Sequence, residues 1–175
     1  MARGIIGKQF MKIRGVILDV DGTLTDGKKH YFETSTGFTI LKSFSVRDGK
    51  GVDLIQKTGV KVAIITADKW ELIIERAKDM GIEDVFYDSH DKIGDAQKFC
   101  AKYGFSLSDI CFVGDDVNDI PLLEKVGLPI AVGDAMDSVK SVCAKNGGHI
   151  MTATGGNGAV REAMELIMEK VDEKN

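Results

Sequence analysis

Four groups of polar residues have types and spacings that could do chemistry together. Asp19 and Asp21 sit in Asp19-Val20-Asp21-Gly22-Thr23, Thr66 and Lys92 stand singly, and Asp115, Asp116 and Asp119 follow Gly114. Carboxylates gathered in one place repel one another, so the set requires a cation or a shared proton. Oxygen ligands without His or Cys suit Mg²⁺. Lys92 would add positive charge for a phosphate, and the Thr66 hydroxyl and the backbone N–H groups around Gly22 could hydrogen-bond phosphoryl oxygens. A carboxylate can also accept a phosphoryl group covalently, giving an aspartyl-phosphate. Mg²⁺ and lysine would then offset the charge of transfer. Taken singly, each part is ordinary: Asp-x-Asp is a solvated turn, Gly-Asp-Asp a helix cap, Lys92 a surface charge, Thr66 a strand-end hydroxyl. The ordered set carries the reading.

The elements that must position these residues can be read from the apolar pattern. Short apolar runs at Gly15–Val20, Val60–Thr66, Asp84–Tyr87, Ile110–Gly114 and Pro129–Val132 read as strands, several of them covered on both faces. Between and after them, helical spacing predicts helices over Trp70–Met80, Asp91–Tyr103, Asp119–Val126, Met136–Ala144 and Ala159–Val171. The alternation predicts an α/β fold with a mainly parallel sheet. Polar residues of the set follow four of the five strands, at the carboxyl ends where open α/β sheets bind ligands. One region breaks the rhythm. About residues 27–46 the chain reads as a projecting β-hairpin, with strands near His30–Thr34 and Phe38–Ser45 joined by Ser35-Thr36-Gly37.

The bulk properties exclude other classes. A chain of 175 residues with 43% hydrophobic and 29% charged residues is an ordinary globular composition, read as a single domain over 1–175. A net charge of -4 argues against general nucleic-acid or membrane-surface binding. Cys100, Cys111 and Cys143 lack metal spacing and read as reduced core thiols. No apolar run reaches the roughly 20 residues of a membrane span. The basic N-terminus (Arg3, Lys8, Lys12, Arg14) has no apolar stretch typical of a secretory signal, so the expected location is cytoplasmic. Neither Gly-x-Gly-x-x-Gly nor a phosphate-binding Gly-Lys-[Ser/Thr] loop occurs.

The four motifs, in this order, resemble those of the haloacid dehalogenase-like phosphatases: Asp19-Val20-Asp21-Gly22-Thr23, Thr66, Lys92 and Gly114-Asp115-Asp116-Val117-Asn118-Asp119. The resemblance implies a Rossmann-like three-layer sandwich and a role for each residue. Asp19 would attack phosphorus, and Asp21 would serve as general acid and base. Asp19, the Asp21 carbonyl and Asp115 would bind Mg²⁺, Thr66 and Lys92 would hold the phosphoryl group, and Asp116 and Asp119 would support the metal shell or orient Lys92. The interval from Thr66 to Lys92 has room for one helix and one strand but no cap domain. The chain is therefore similar to the capless, tetrameric group that acts on 3-deoxy-D-manno-octulosonate 8-phosphate. In that group hairpins assemble the tetramer and neighbouring subunits cover each site. Ser43-Phe44-Ser45-Val46-Arg47-Asp48-Gly49-Lys50-Gly51 and Gly155-Gly156-Asn157-Gly158-Ala159-Val160-Arg161-Glu162 also match it.

By the same resemblance Asp21, Ser45, Val46, Arg47, Asp48, Gly49, Asp68, Arg76 and Lys92 are the candidate substrate contacts, and the substrate is a small phosphorylated sugar acid. Two arginines usual in that group are replaced, by Asp53 and Asp68. Asp68 reverses a charge near an anionic substrate, with Lys69 beside it as a compensating cation. An acidic residue at that place resembles relatives acting on nine-carbon ulosonate 9-phosphates. A third possibility is a noncatalytic oligomerisation module, like the phosphatase-like domain fused to some sialate-activating enzymes.

Overall fold

The computed structural model describes residues 13–172, so Arg3, Lys8 and Lys12 lie outside the described residues. Its centre is a six-stranded parallel sheet. The strands are β1 (Gly15–Leu18), β4 (Lys61–Ile65), β5 (Asp84–Phe86), β6 (Ile110–Gly114), β7 (Leu128–Ala131) and β8 (His149–Ile150). β1 and β6 pair in register from Gly15↔Ile110 to Leu18↔Val113. Both are buried along their whole length, which is why their sequences are continuous apolar runs rather than alternating ones. The core gathers on them, with Phe99 and Phe112 among its largest fully buried side chains.

Strand order β5-β4-β1-β6-β7-β8 fixes where the chemistry must lie. From β1 the chain builds outward through β4 and β5, then returns to the other side for β6, β7 and β8. The reversal leaves its crevice beside β1, at the carboxyl ends of the strands. Helices α1 (Val46–Gln56), α2 (Leu72–Asp79), α3 (Lys92–Tyr103), α4 (Ile120–Leu123), α5 (Asp137–Lys145) and α6 (Ala159–Asp172) cover the sheet. α1 packs on α6, and α3, α4 and α5 form a neighbouring series.

The hairpin predicted after β1 is present as a separate two-stranded antiparallel sheet, β2 (His30–Thr34) with β3 (Gly37–Leu41). Its second strand stops at Leu41, four residues before the expected end, because Ser45 starts a helix. The Ser45 hydroxyl accepts from the backbone N–H groups of Arg47 and Asp48, and α1 begins there. The sequence pattern does not foresee α1; Gly49 and Gly51 weaken its helical signal. β8 is likewise unforeseen, being two residues long. The three cysteines are free and buried, as expected.

The Gly-rich stretch before α6 is a fitted wall rather than a slack loop. Gly156 N–H donates to Thr23 O at 3.0 Å, and a Cβ on Gly155 would lie 1.8 Å from Gly22 O. Asp48, 1% exposed, accepts from the N–H groups of Arg161 at 2.8 Å and Gly158 at 3.3 Å. It thereby caps α6 from the first turn of α1, a favourable place for a carboxylate. Glu162 anchors the preceding segment by accepting from Thr152 and Ala153 N–H. Asp48→Ala would strand those α6 donors, and the expected loss is about 2 kcal/mol of unfolding free energy in urea titration. A loss no larger than that of an exposed α1 control such as Lys50→Ala would show that Asp48 does not anchor α6.

Candidate active site

The turn after β1 places the first pair of carboxylates. Asp19 N–H donates to Val113 O at 3.1 Å, extending the β1–β6 ladder by one residue. The chain then coils tightly through Val20–Leu24, closed by Thr25 N–H to Val20 O at 2.9 Å. Gly22 is required in this turn for two reasons. Its φ is +84°, and a Cβ there would come within 1.9 Å of Asp115 Oδ2. The same turn brings the Thr23 hydroxyl to Asp115 Oδ1 at 3.4 Å, tying the end of β1 to the end of β6.

Lys92 is the central cation. Its side chain, 6% exposed at the start of α3, reaches Asp19 Oδ1 at 3.0 Å and Asp119 Oδ1 at 2.6 Å. Burial pulls its pKa down, but the charges of Asp19 and Asp119 outweigh this and hold it above the ordinary lysine value. The other Asp119 oxygen accepts from Asp115 N–H at 2.8 Å and Asp116 N–H at 3.2 Å. Both Asp119 oxygens are therefore occupied, and the residue orients Lys92 and the Asp115 backbone. Asp116 is exposed and accepts from Val117 N–H at 2.7 Å, so it caps the turn and does not contact Lys92.

Asp19, Asp115 and Asp119 each offer a carboxylate oxygen within 4.8 Å of the others. Burial first, and then the charge of Asp119, push Asp19 up to about 7. Burial, then the charges of Asp19 and Asp119, push Asp115 up to about 8. Lys92 alone thus leaves the cluster short of positive charge, and a hard divalent cation on Asp19 and Asp115 fits the donor set.

Thr66, at the end of β4, is buried. Its hydroxyl accepts from Asp68 N–H at 3.2 Å, and its backbone is tied to Phe86 and Ser89. Asp21, a third exposed, lies on the rim, and its two oxygens accept from Lys42 Nζ at 2.6 and 2.8 Å. Lys42 also donates to Asp68, whose same oxygen meets Lys29 at 3.0 Å. Burial opposes ionisation of Asp68, but Lys42 and Lys29 outweigh it and hold the carboxyl well below its usual range. The charge reversal at Asp68 is thus met by Lys42 and Lys29. Lys69, the cation expected to compensate, sits 3.7 Å from Asp88 instead.

The remaining expected substrate contacts divide. Ser45 caps α1, Asp48 is turned into the α6 anchor, and Val46 and Arg47 are exposed at the start of α1. Gly49 lies against Arg76, since a Cβ there would meet the guanidinium at 2.9 Å. Arg76 donates to Ser45 O at 3.2 Å and lies over the Phe44 ring, which stacks on Trp70 at 6.4 Å. Asp53 pairs with Lys50 and Lys57 on exposed α1 surface. Lys42 and Trp70 were missed by sequence reading. A single lysine after a strand gives no local signal; only the return of the hairpin brings it to Asp21.

The family model for haloacid dehalogenase-like hydrolases matches residues 68–162. The 3-deoxy-D-manno-octulosonate 8-phosphate phosphatase of Escherichia coli K12 is 35% identical over 156 residues, 89% of this chain and 79% of that protein. The chain belongs to the haloacid dehalogenase-like hydrolases. Among solved structures, the phosphatase of that name from Moraxella catarrhalis, in complex with magnesium, phosphate and the sugar acid, superposes with a TM-score of 0.82. It is 36% identical and covers 90% of this chain and 86% of its own. The cobalt-bound enzyme of Haemophilus influenzae gives a TM-score of 0.83 at 31% identity, covering 93% and 91%.

The raised carboxylates set a pH dependence. Asp19 and Asp115 bind protons more tightly folded than unfolded, so without a divalent cation their contribution to stability is full below about pH 4 and lost as pH rises toward about 8. In chelator, Tm should fall as pH is raised from about 5.5 to 8, and Mg²⁺ should raise Tm more at the upper pH, where its ligands are deprotonated. Thermal melts with and without Mg²⁺ at both values check this; an equal Mg²⁺ effect at the two pH values would count against binding at these carboxylates.

Proposed function

We propose that this protein is a Mg²⁺-dependent phosphomonoester hydrolase with Asp19 as its phosphate-accepting nucleophile. The observation that carries this reading is the buried Lys92, held 3.0 Å from Asp19 by Asp119 and flanked by Asp115. In the first step an Asp19 oxygen attacks phosphorus and the bond to the leaving oxygen breaks, with Asp21 delivering a proton to that oxygen. In the second, Asp21 takes a proton from water, the water oxygen attacks phosphorus, and the bond to Asp19 breaks. Thr66 and Lys92 hold the phosphoryl oxygens. Asp19, the Asp21 carbonyl and Asp115 would hold Mg²⁺, which when bound offsets charge on the transferring group. Asp119 keeps Lys92 in place and Asp116 shapes the turn.

The substrate we propose is 3-deoxy-D-manno-octulosonate 8-phosphate, on the strength of the relatives above. Asp21, Ser45, Val46, Arg47, Asp48, Gly49, Asp68, Arg76 and Lys92 remain the residues around which its contacts would be built, with Asp48 acting through the position of α1. One observation favours a second reading, a nine-carbon ulosonate 9-phosphate: the usual arginine is Asp68, already neutralised by Lys42 and Lys29. Phosphate release from both esters decides between them, and similar, poor turnover of each would sink both names. Asp19→Asn should abolish Mg²⁺-dependent hydrolysis of either ester while the circular dichroism spectrum is kept; activity unchanged in that variant would remove Asp19 as the nucleophile, and no Mg²⁺-dependent hydrolysis in the parent protein would leave the noncatalytic module.

The assembly we propose is a homotetramer in which neighbouring hairpins complete the sites. Supporting it, all ten residues of β2 and β3 are exposed, including Tyr31, Phe32, Phe38, Ile40 and Leu41, an apolar surface unusual for a monomer. Phe38→Glu with Phe32→Glu should convert the tetramer to smaller species in light scattering coupled to gel filtration. An unchanged mass would place the interface elsewhere.

A further inference from the structure

The Lys42 side chain is 1% exposed, and its ammonium group lies 5.1 Å from the face of Trp70. Burying an ammonium group is costly unless its donors are paired. Here its three donors are met by the two oxygens of Asp21 and one oxygen of Asp68. Asp68 is itself fixed, accepting from Trp70 N–H at 3.1 Å and donating its own N–H to Thr66. Asp21, by contrast, lies on a turn at the rim of the site, with both oxygens on Lys42 and its carboxyl against that of Asp68. An unheld carboxylate there would sample several rotamers and spend part of its time away from the leaving oxygen.

We infer that Lys42 is a positioning residue for Asp21, and that Asp68 and Trp70 hold Lys42 where it can act. The inference rests on the reading of Asp21 as proton donor and acceptor. When one Asp21 oxygen carries the proton for the leaving group, Lys42 keeps the other, so the protonated oxygen faces the reacting centre. When Asp21 takes the proton from water, the same hold applies. Asp68 then has a part that needs no contact with substrate. Where an arginine would be free to meet an anion, this chain instead spends the position on fixing Lys42.

The test uses the dependence on leaving group. p-Nitrophenolate departs without a proton, whereas the alkoxide of a primary alkyl phosphate requires one. Lys42→Met, Asp68→Asn and Asp21→Asn would be compared with the parent protein in Mg²⁺, in single-turnover experiments on p-nitrophenyl phosphate and glycerol phosphate. For Lys42→Met the expected result is a rate of p-nitrophenolate release within about threefold of the parent and alkyl cleavage slowed by about tenfold or more, part of the roughly 10²–10⁴-fold range typical of acid–base catalysis. Asp68→Asn, which keeps the Lys42–Asp21 pair, should show the same selectivity at smaller size and carries the test if Lys42→Met does not fold. Equal losses on the two esters, or none, in both variants would overturn the role of Lys42. If Asp21→Asn also failed to discriminate between the esters, the reading of Asp21 itself would fall. Discrimination by Asp21→Asn alone would overturn only the positioning role.

Discussion

Mutual repulsion of carboxylates is the constraint on which the rest of this structure depends. Asp19, Asp115 and Asp119 converge beyond β1 and β6, where the sheet leaves them little water. Such a cluster is tolerated only with positive charge inside it. Lys92 supplies part of it, bridging two of the three. Much of the surrounding architecture follows from delivering that lysine: α3 starts with Lys92 itself, and Asp119 is pinned by the backbone of Asp115 and Asp116 so that it faces Lys92. Burial first, and then mutual repulsion, raise the affinity of Asp19 and Asp115 for protons.

A second charge group repeats the logic at the rim. Asp21 and Asp68 share Lys42, with Lys29 outside it. Two buried lysines thus divide the acidic residues of the site between them. The inner one faces the proposed nucleophile and the outer one faces the proposed acid. The separation lets neighbouring carboxylates of similar intrinsic acidity take different work.

Legibility in the sequence followed the range of the interactions. The parallel sheet was readable because β1 and β6, and β4 after the exposed Lys61, are buried on both faces and therefore apolar. Asp19, Thr66, Lys92 and Asp115 were readable because each stands at or just beyond a strand end, and strand ends converge in this topology. Lys42 was not readable, since its partners lie across a hairpin whose return angle no local pattern encodes. Helix α1 was missed because its glycines obscure the helical period, although the Ser45 cap was present in the sequence. Asp48 was read as a substrate contact because its motif is shared with a family, and the side chain serves backbone groups more than a hundred positions later.

That last contact has a consequence for how the protein is made. The turn carrying Asp19 and Asp21 is walled by Gly155 and Gly156, and the helix that follows them is capped by Asp48. A ribosome that has synthesised Asp19, the hairpin and the inner strands has still not supplied the surface against which the turn after β1 is set. Catalytic competence must therefore arrive late in translation, after the Gly-rich stretch has emerged and docked. Until then, a nascent chain carries the acidic residues of the site without the enclosure that sets them.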